Sequence, residues 1–266
     1  MSSSVLEYTF RELTRRKWIG RAIVAGFTIA IIWSAIGTGF RFRDLYRGLP
    51  NIYRFVTEDL LPPRFSVWRR FFAPTLETIA MSYAGTFLSV VFAAPLGFLA
   101  ARNVSPNRVV MQIARAVAVM MRTIPPIVWA LLLVSIVGIG PFAGTLALAL
   151  SGAGMLIKSY ADSIEDIDAG QIEAVVATGA GRFQVLMKGV VPQFLPSFVS
   201  WSLYRFDLNI RSAAVVGLVG AGGLGFALST AVRLFRYQEA AVAILWILGL
   251  ILVIEFVTAK VRGRLI

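Results

Sequence analysis

The sequence predicts an all-α polytopic membrane protein with six transmembrane helices, and three features carry that prediction. Hydrophobic residues make up 58% of the 266, against about 45–50% in ordinary soluble domains, and mean hydropathy is +0.76. Several apolar runs reach the roughly 20 residues that a helix needs to cross a hydrocarbon core about 30 Å thick. Arginine and lysine bunch at the ends of several runs, as positive charge does on the cytoplasmic side of a membrane. Composition also removes whole classes of chemistry. With no cysteine and no histidine, the chain has no disulfide framework, no thiolate, and no histidine to act as general base or metal ligand. The net charge of +12 is read as cytoplasmic loops and lipid headgroups rather than nucleic acid.

The first span is expected at 18–37, "WIGRAIVAGFTIAIIWSAIG". Its basic flank, Arg11, Arg15, Arg16 and Lys17, places the N-terminus in the cytoplasm. No convincing A-x-A site follows, so it reads as a retained span rather than a cleaved signal. The polar stretch at 38–74 reads as an external loop with a short amphipathic helix, and it holds seven arginines between 41 and 70. Residues 1–74 therefore form a tail, a first helix and an external loop, ahead of a core domain at 75–262. The second span is expected at 76–101, where Ala80, Ser82, Ala84 and Gly85 supply the small residues that helix packing in lipid prefers. It stops at the basic "ARN". In "NRVVMQIARAVAVMMR", Arg108, Arg115 and Arg122 are seven apart and form one helical stripe. This segment reads as an interfacial helix that snorkels its arginines toward headgroups.

Pro125 and Pro126 break the chain before a third span at 125–140. Pro141 turns it into a fourth at 142–161. A polar cytoplasmic segment follows at about 163–192, then a fifth span at 194–216. The sixth, at 238–259, is closed by Lys260, Arg262 and Arg264. Six spans place both termini on the cytoplasmic side.

The fifth span carries charge inside an apolar run, in "LYRFDLNIRSAAVVGLVGAGGLG" at 203–225. Ionisable residues within a span cost about 2.5–3.5 kcal/mol each on insertion scales, so they are usually paired or functional. At about 100° per residue, Arg205 and Asn209 lie within about 40° of each other, and Asp207 and Arg211 pair on nearly the opposite face. Asp207 four residues ahead of Arg211 is the favourable order for an intrahelical ion pair. Two readings stay open. Arg205, Asn209 or Arg211, with Asp207 and Ser212 beside them, face a translocation path, where guanidinium forks suit phosphate oxygens. Alternatively, the charges only pair across helices, with Glu77 or Glu255, or meet headgroups. A proton-coupled secondary transporter using Asp207 is a rival class. An aspartyl intramembrane protease would need a second membrane aspartate, and only Asp207 lies in a span.

Gly220, Gly222 and Gly225 spell G-x-G-x-x-G. A dinucleotide fingerprint needs a βαβ unit around it, and the neighbouring spans deny one. The segment, with Gly220, Gly222 and Gly223, reads instead as a tight re-entrant or loop turn. Glycine there adopts positive φ and lets the backbone approach a neighbour, whether to line the path or to pack helices.

The stretch "EAVVATGAGRFQVLMKGVVPQ" at 173–193 reads as two short helices around a Gly179 break, suited either to docking a soluble partner or to an ordinary loop. It resembles the EAA loop of bacterial ABC importer permeases. Glu173, Ala174, Gly179 and Pro192 match that pattern, while Val175, Gly189 and Val191 depart from it. Together with "PLGFLAARN", "RTIPPIVWALLL" and "YRFDLNIRSA…GLVGAGG", the loop makes residues 75–262 similar to the permease subunit of phosphonate-type ABC importers. The resemblance implies a type I importer permease fold in a bacterial cytoplasmic membrane. It implies a homodimer of permeases, two cytoplasmic ATPase subunits and an external binding protein, with no nucleic acid partner. Glu173, Ala174, Thr178, Gly179, Ala180 and Pro192 would contact the ATPase. The cargo would be a phosphonate, or alternatively phosphate or phosphite, moved by alternating access. ATP and magnesium would sit on the partner, since no G-x-x-x-x-G-K-[ST] occurs here, and this chain would hold no cofactor, metal or catalytic residue.

Overall fold

The computed structural model describes the backbone of residues 3–265 and, within it, the side chains of residues 16 and 18–263. The side chains of Arg11, Arg15, Lys17 and Arg264, which bear on orientation, lie outside the described residues. Every regular element among the described residues is helical. The chain forms two compact units, Met1–Asp59 and Leu60–Ile266.

In the first unit, α1 (Ser3–Gly37) contains the expected first span, Trp18–Gly37. Its apolar side chains, Ile23, Phe27 and Trp33 among them, are exposed, which suits a helix surrounded by lipid. The amphipathic helix of the loop is α2 (Phe42–Arg54). Phe42, Leu45, Leu49 and Ile52 fall within an arc of about 80°, and Arg43, Arg47 and Arg54 fall within about 40° of one another on another side.

The second unit begins with a 3₁₀ segment, Phe65–Phe71, that runs into α3 (Phe72–Ala100). Then come α4 (Arg108–Thr123), α5 (Pro126–Val137), α6 (Pro141–Glu165), α7 (Ala169–Ala177) and α8 (Arg182–Val185). A π-helical turn, Leu186–Val190, leads into α9 (Val191–Gly217), followed by α10 (Gly223–Arg233) and α11 (Tyr237–Leu265). Local chemistry sets several boundaries. The Asn107 side chain accepts a hydrogen bond from the Val110 amide at 2.8 Å, which caps α4. Ile124, ahead of two prolines, is extended with ψ 116°, as a residue before proline must be. Gly138 and Gly140, with φ +91° and +145°, separate α5 from α6.

The third span differs from the expectation. α5 has 12 residues, about 18 Å of helix, and it meets α4 at a bend of 86°. The two prolines at the junction break one crossing into two pieces. α4 is also more than an interfacial helix. Its Ala114 and Ala118 are buried against α6, where Gly154 admits the α4 backbone. A Cβ at Gly154 would lie 2.6 Å from the Arg122 amide nitrogen and 2.8 Å from the Ala118 carbonyl oxygen. Arg115 turns inward to pair with Glu165 and donates from Nε to the Ala100 carbonyl at 2.9 Å. Arg108 and Arg122 stay exposed. The seven-residue spacing marked a stripe, but the alanines beside it decided which surface α4 touches.

The helices of this unit join two ends. At one, the Arg102 amide donates to Glu165 at 2.8 Å and the Asn103 side chain donates to the Ile164 carbonyl at 2.8 Å. At the other, the Gly140 amide donates to the Gly220 carbonyl at 3.0 Å. α3, the α4–α5 pair, α6 and α9 all run between them. By length and composition, four helices among the described residues can cross a membrane, or five if the bent pair counts as one span. α9, at 27 residues, is long enough, but its charged and polar residues keep it out of that count. Six spans are thus not confirmed on those criteria.

α6 is the centre of the bundle. Small residues let α3 come close to it. A Cβ at Gly85 would lie 2.9 Å from Leu148 Cβ, and one at Gly97 would lie 2.8 Å from Tyr160 Cβ. Ser89 Oγ donates to the Ala149 carbonyl at 2.9 Å. Tyr160 is fully buried, hydrogen-bonds Ser202 at 2.8 Å and packs on Phe194 and Phe198. A Gly97→Val variant is therefore expected to lose about 1–3 kcal/mol through overpacking. Thermal unfolding in detergent checks this, and a midpoint equal to wild type would contradict the close approach.

Candidate functional site

The polar residues of α9 divide between two neighbours. Arg205 and Asn209 point into the seam with α3 and α6, and both are buried. Arg205 Nη2 donates to the Leu148 carbonyl at a long 3.5 Å, Nη1 lies 3.8 Å from Met155 Sδ, and Nε has no hydrogen-bond partner. Gly152 makes the slot. A Cβ there would fall 2.7 Å from Arg205 Nε. Asn209 donates to Thr86 Oγ1 at 2.8 Å, and its Oδ1 is unpartnered. On the other side, Asp207 accepts from Arg211 at 3.0 Å, and Arg211 reaches on to Glu255 of α11 at 3.2 Å. The intrahelical couple is present, with Glu255 as its third member. Among the described residues, no carboxylate pairs with Arg205.

The glycine turn has the backbone that its residues suggest. Gly220, Gly222 and Gly223 have φ of +94°, +87° and +69°. A Cβ on Gly222 would lie 3.1 Å from Pro141. Glu77, considered as a partner for Arg205, is used here instead. It accepts from the Gly223 amide at 3.0 Å, while Thr78 Oγ1 accepts from the Leu224 amide at 2.8 Å. Two residues of α3 thus satisfy the free amides that open α10, and the carboxylate complements that end of the helix dipole. The nucleotide-loop reading fails for a second reason, because the protein's own carboxylate fills the helix N-terminus. Sequence reasoning missed this role of Glu77. The only signal was a lone glutamate just inside a span, opposite glycines 146 residues away.

Of the eight candidate path residues, Arg205, Asp207, Asn209, Gly220, Gly222 and Gly223 are buried within the subunit. Ser212 is half-buried and Arg211 exposed.

The segment at 169–192 is mostly exposed, with Ile172, Leu186 and Val190 packed against the core of the bundle. Asp168 caps α7 by accepting from the Gly170 amide at 2.9 Å. Glu173 and Ala174 are exposed on α7, and Thr178 ends it by donating to the Val175 carbonyl at 2.7 Å. Gly179 follows with φ +81° and nothing within 4 Å of its would-be Cβ, and Ala180 is half-buried. Val176, Phe183 and Met187 are exposed apolar side chains on the same segment. Two departures from the EAA pattern face each other. A Cβ on Gly189 would lie 3.7 Å from Val175 Cγ2, so the larger valine meets the smaller glycine. Pro192 stands where the loop ends. It sits in the first turn of α9, where a missing amide hydrogen breaks no helical bond.

Glu77→Ala is expected to cost about 1–2 kcal/mol, as removal of a charged helix cap does, with Glu77→Gln recovering part. Chemical denaturation of the purified chain measures both, and equal stability of all three proteins would remove the cap.

Known proteins agree with this architecture. The family model described as "Binding-protein-dependent transport system inner membrane component" matches residues 93–265. The phosphite transport system permease protein PtxC of Stutzerimonas stutzeri is 38% identical over 241 residues, covering 91% of this chain and 86% of that protein. The phosphate-import permease protein PhnE of Mycolicibacterium smegmatis is 41% identical over 237 residues, covering 89% of this chain and 44% of that one. Among solved structures, an inward-facing MetNI methionine ABC transporter chain superposes with a TM-score of 0.66 at 24% identity, covering 74% of this chain and 96% of that one. The fold is therefore that of a type I ABC importer permease, a multi-pass membrane protein that works with ATPase and substrate-binding partners. The chain belongs to the family of inner membrane components of binding-protein-dependent transport systems.

Proposed function

We propose that this permease imports a phosphorus oxyanion, with phosphonate as the first candidate and phosphite or phosphate as the alternatives. The observation that carries the reading is Arg205. It is a buried guanidinium with no carboxylate partner among the described residues and one unbonded nitrogen, in a chain similar to permeases named for phosphite and phosphate. A buried guanidinium with unsatisfied donors suits an oxyanion. Asp207 is committed to Arg211, so we assign that couple a structural role rather than a proton site.

In this reading α9 is the remaining crossing, and its charges enter lipid because most of them face protein. The permease is a homodimer with both termini in the cytoplasm. Two ATPase subunits dock on the two copies of Glu173–Pro192, with Val176, Phe183 and Met187 as the apolar contact around Glu173, Ala174, Thr178, Gly179 and Ala180. This chain performs no hydrolysis; ATP and magnesium belong to the ATPase. Closure of the ATPases pulls α7 and α8, and α8 runs through the π-helical turn into α9. That motion moves Arg205 and Asn209 out of the seam with α3 and α6, toward the axis between permeases. The glycine turn, with Ser212 below it, is the pivot at the other end of α9.

Two outcomes test the reading. Gly179→Val forces a β-branched side chain into φ +81°, a conformation such residues rarely adopt, and co-purification with the ATPase is expected to fall sharply. Retention at the wild-type level would detach this segment from docking. Arg205→Ala is expected to lower binding-protein-dependent uptake of phosphonate, phosphite or phosphate by about tenfold or more, with Arg205→Lys intermediate. Assembly with the ATPase should persist. Uptake at the wild-type rate by the alanine variant would take Arg205 off the path.

A further inference from the structure

A pocket of about 300 Å³ lies beside the N-terminal ends of α3 and α11, the level at which two membrane-crossing helices begin. Its walls include Phe71, Pro74, Phe226 and Leu234, and Arg70, Arg236 and Glu239 also line it. The Glu239 side chain is 12% exposed and faces three guanidiniums. Arg70 is 3.4 Å away, and Arg64 and Arg236 are each 4.0 Å away. The two longer contacts are ion pairs without a hydrogen bond.

One carboxylate cannot balance three guanidiniums, so two positive charges remain. Stapling the segment before α3 to the turn before α11 needs only the Arg70 contact. The Arg64 amide already donates to the Gln238 carbonyl at 3.2 Å for the same purpose. No other acidic side chain forms an ion pair with Arg64, Arg70 or Arg236 among the described residues. The arginine side chains are 51–66% exposed, so their free N–H groups are open to a ligand. The cavity is far larger than a bare tetrahedral oxyanion, and apart from Thr230 the rest of its wall is apolar. That combination of guanidinium forks over apolar surface fits a phosphate ester at headgroup depth.

We propose that this pocket binds a phosphate group, with Arg70 and Arg236 gripping its oxygens while Glu239 holds both arginines in place. The group comes from a phospholipid, whose glycerol and acyl portions cover Phe226 and Leu234, or from a free oxyanion outside the bundle. The proposal does not rest on the cargo, since a lipid phosphate would occupy the pocket whatever the permease imports.

The test uses the full chain, purified and delipidated in detergent. Short-chain phosphatidylglycerol and inorganic phosphate serve as separate probes in native mass spectrometry and equilibrium binding. Wild type is expected to take up one probe molecule per chain at this site. The double variant Arg70→Ala/Arg236→Ala should bind it about tenfold or more weakly. A second variant, Thr230→Phe, fills the pocket from α10 without removing a charge. If wild type binds the lipid but not inorganic phosphate, and Thr230→Phe weakens the lipid, the source is lipid. If inorganic phosphate displaces the lipid and binds Thr230→Phe as it binds wild type, free oxyanion also enters. Wild type that binds neither probe would overturn the proposal. So would both variants binding each probe as wild type does. Uptake assays of Arg205 variants are independent of this result, so either reading can fail alone.

Discussion

Close backbone contact between α3 and α6 is the constraint from which the rest of the bundle follows. Lipid tails are as apolar as leucine, so helices in a membrane gain little from hiding apolar side chains and need intimate packing instead. Gly85, Ser89 and Gly97 provide it on α3. α6 in turn offers a series of glycines, each of which receives a different neighbour. Gly144 takes the glycine turn, where its would-be Cβ would lie 2.6 Å from the Ala221 carbonyl. Gly152 takes Arg205 of α9, and Gly154 takes the backbone of α4. One helix therefore positions the broken crossing, the polar seam and the glycine turn together.

Charge in such a bundle has to be managed residue by residue. Asp207, Arg211 and Glu255 form a group in which each arginine contact has an acid. Glu77 spends its charge on the amides that open α10. Glu165 ties the end of α3 and the middle of α4 to the end of α6. Against these, Arg205 is the exception. A buried polar atom without a partner costs about 1–3 kcal/mol, and local rules of this kind are broken mainly where function requires it. Its slot at Gly152 shows that the bundle makes room for this arginine rather than tolerating it.

Much of the fold was legible before the coordinates. The helical class, the spans at 18–37, 76–101, 142–161 and 238–259, the Asp207–Arg211 couple and the positive-φ glycine turn all follow from local information. Hydropathy over about 20 residues, a four-residue spacing and the steric freedom of glycine are properties of a short stretch of chain. What escaped was contact between distant stretches. The inward turn of Arg115 toward Glu165 and the cap that Glu77 gives α10 depend on partners 50 and 146 residues away.

The sequence by itself determined that this chain lives in a membrane, that it is helical, and that "EAVVATGA" and "YRFDLNIRSA" mark a permease. The first two need only composition and period, and the third rests on resemblance to a known family. The tertiary structure alone decided which acid serves which base. It also decided that, among the described residues, Arg205 is left without a carboxylate while Arg64, Arg70 and Arg236 crowd around one. A helical wheel gives the direction of a side chain but not its depth or its neighbour, and in a bundle held by glycine contacts those are set by how closely the helices approach.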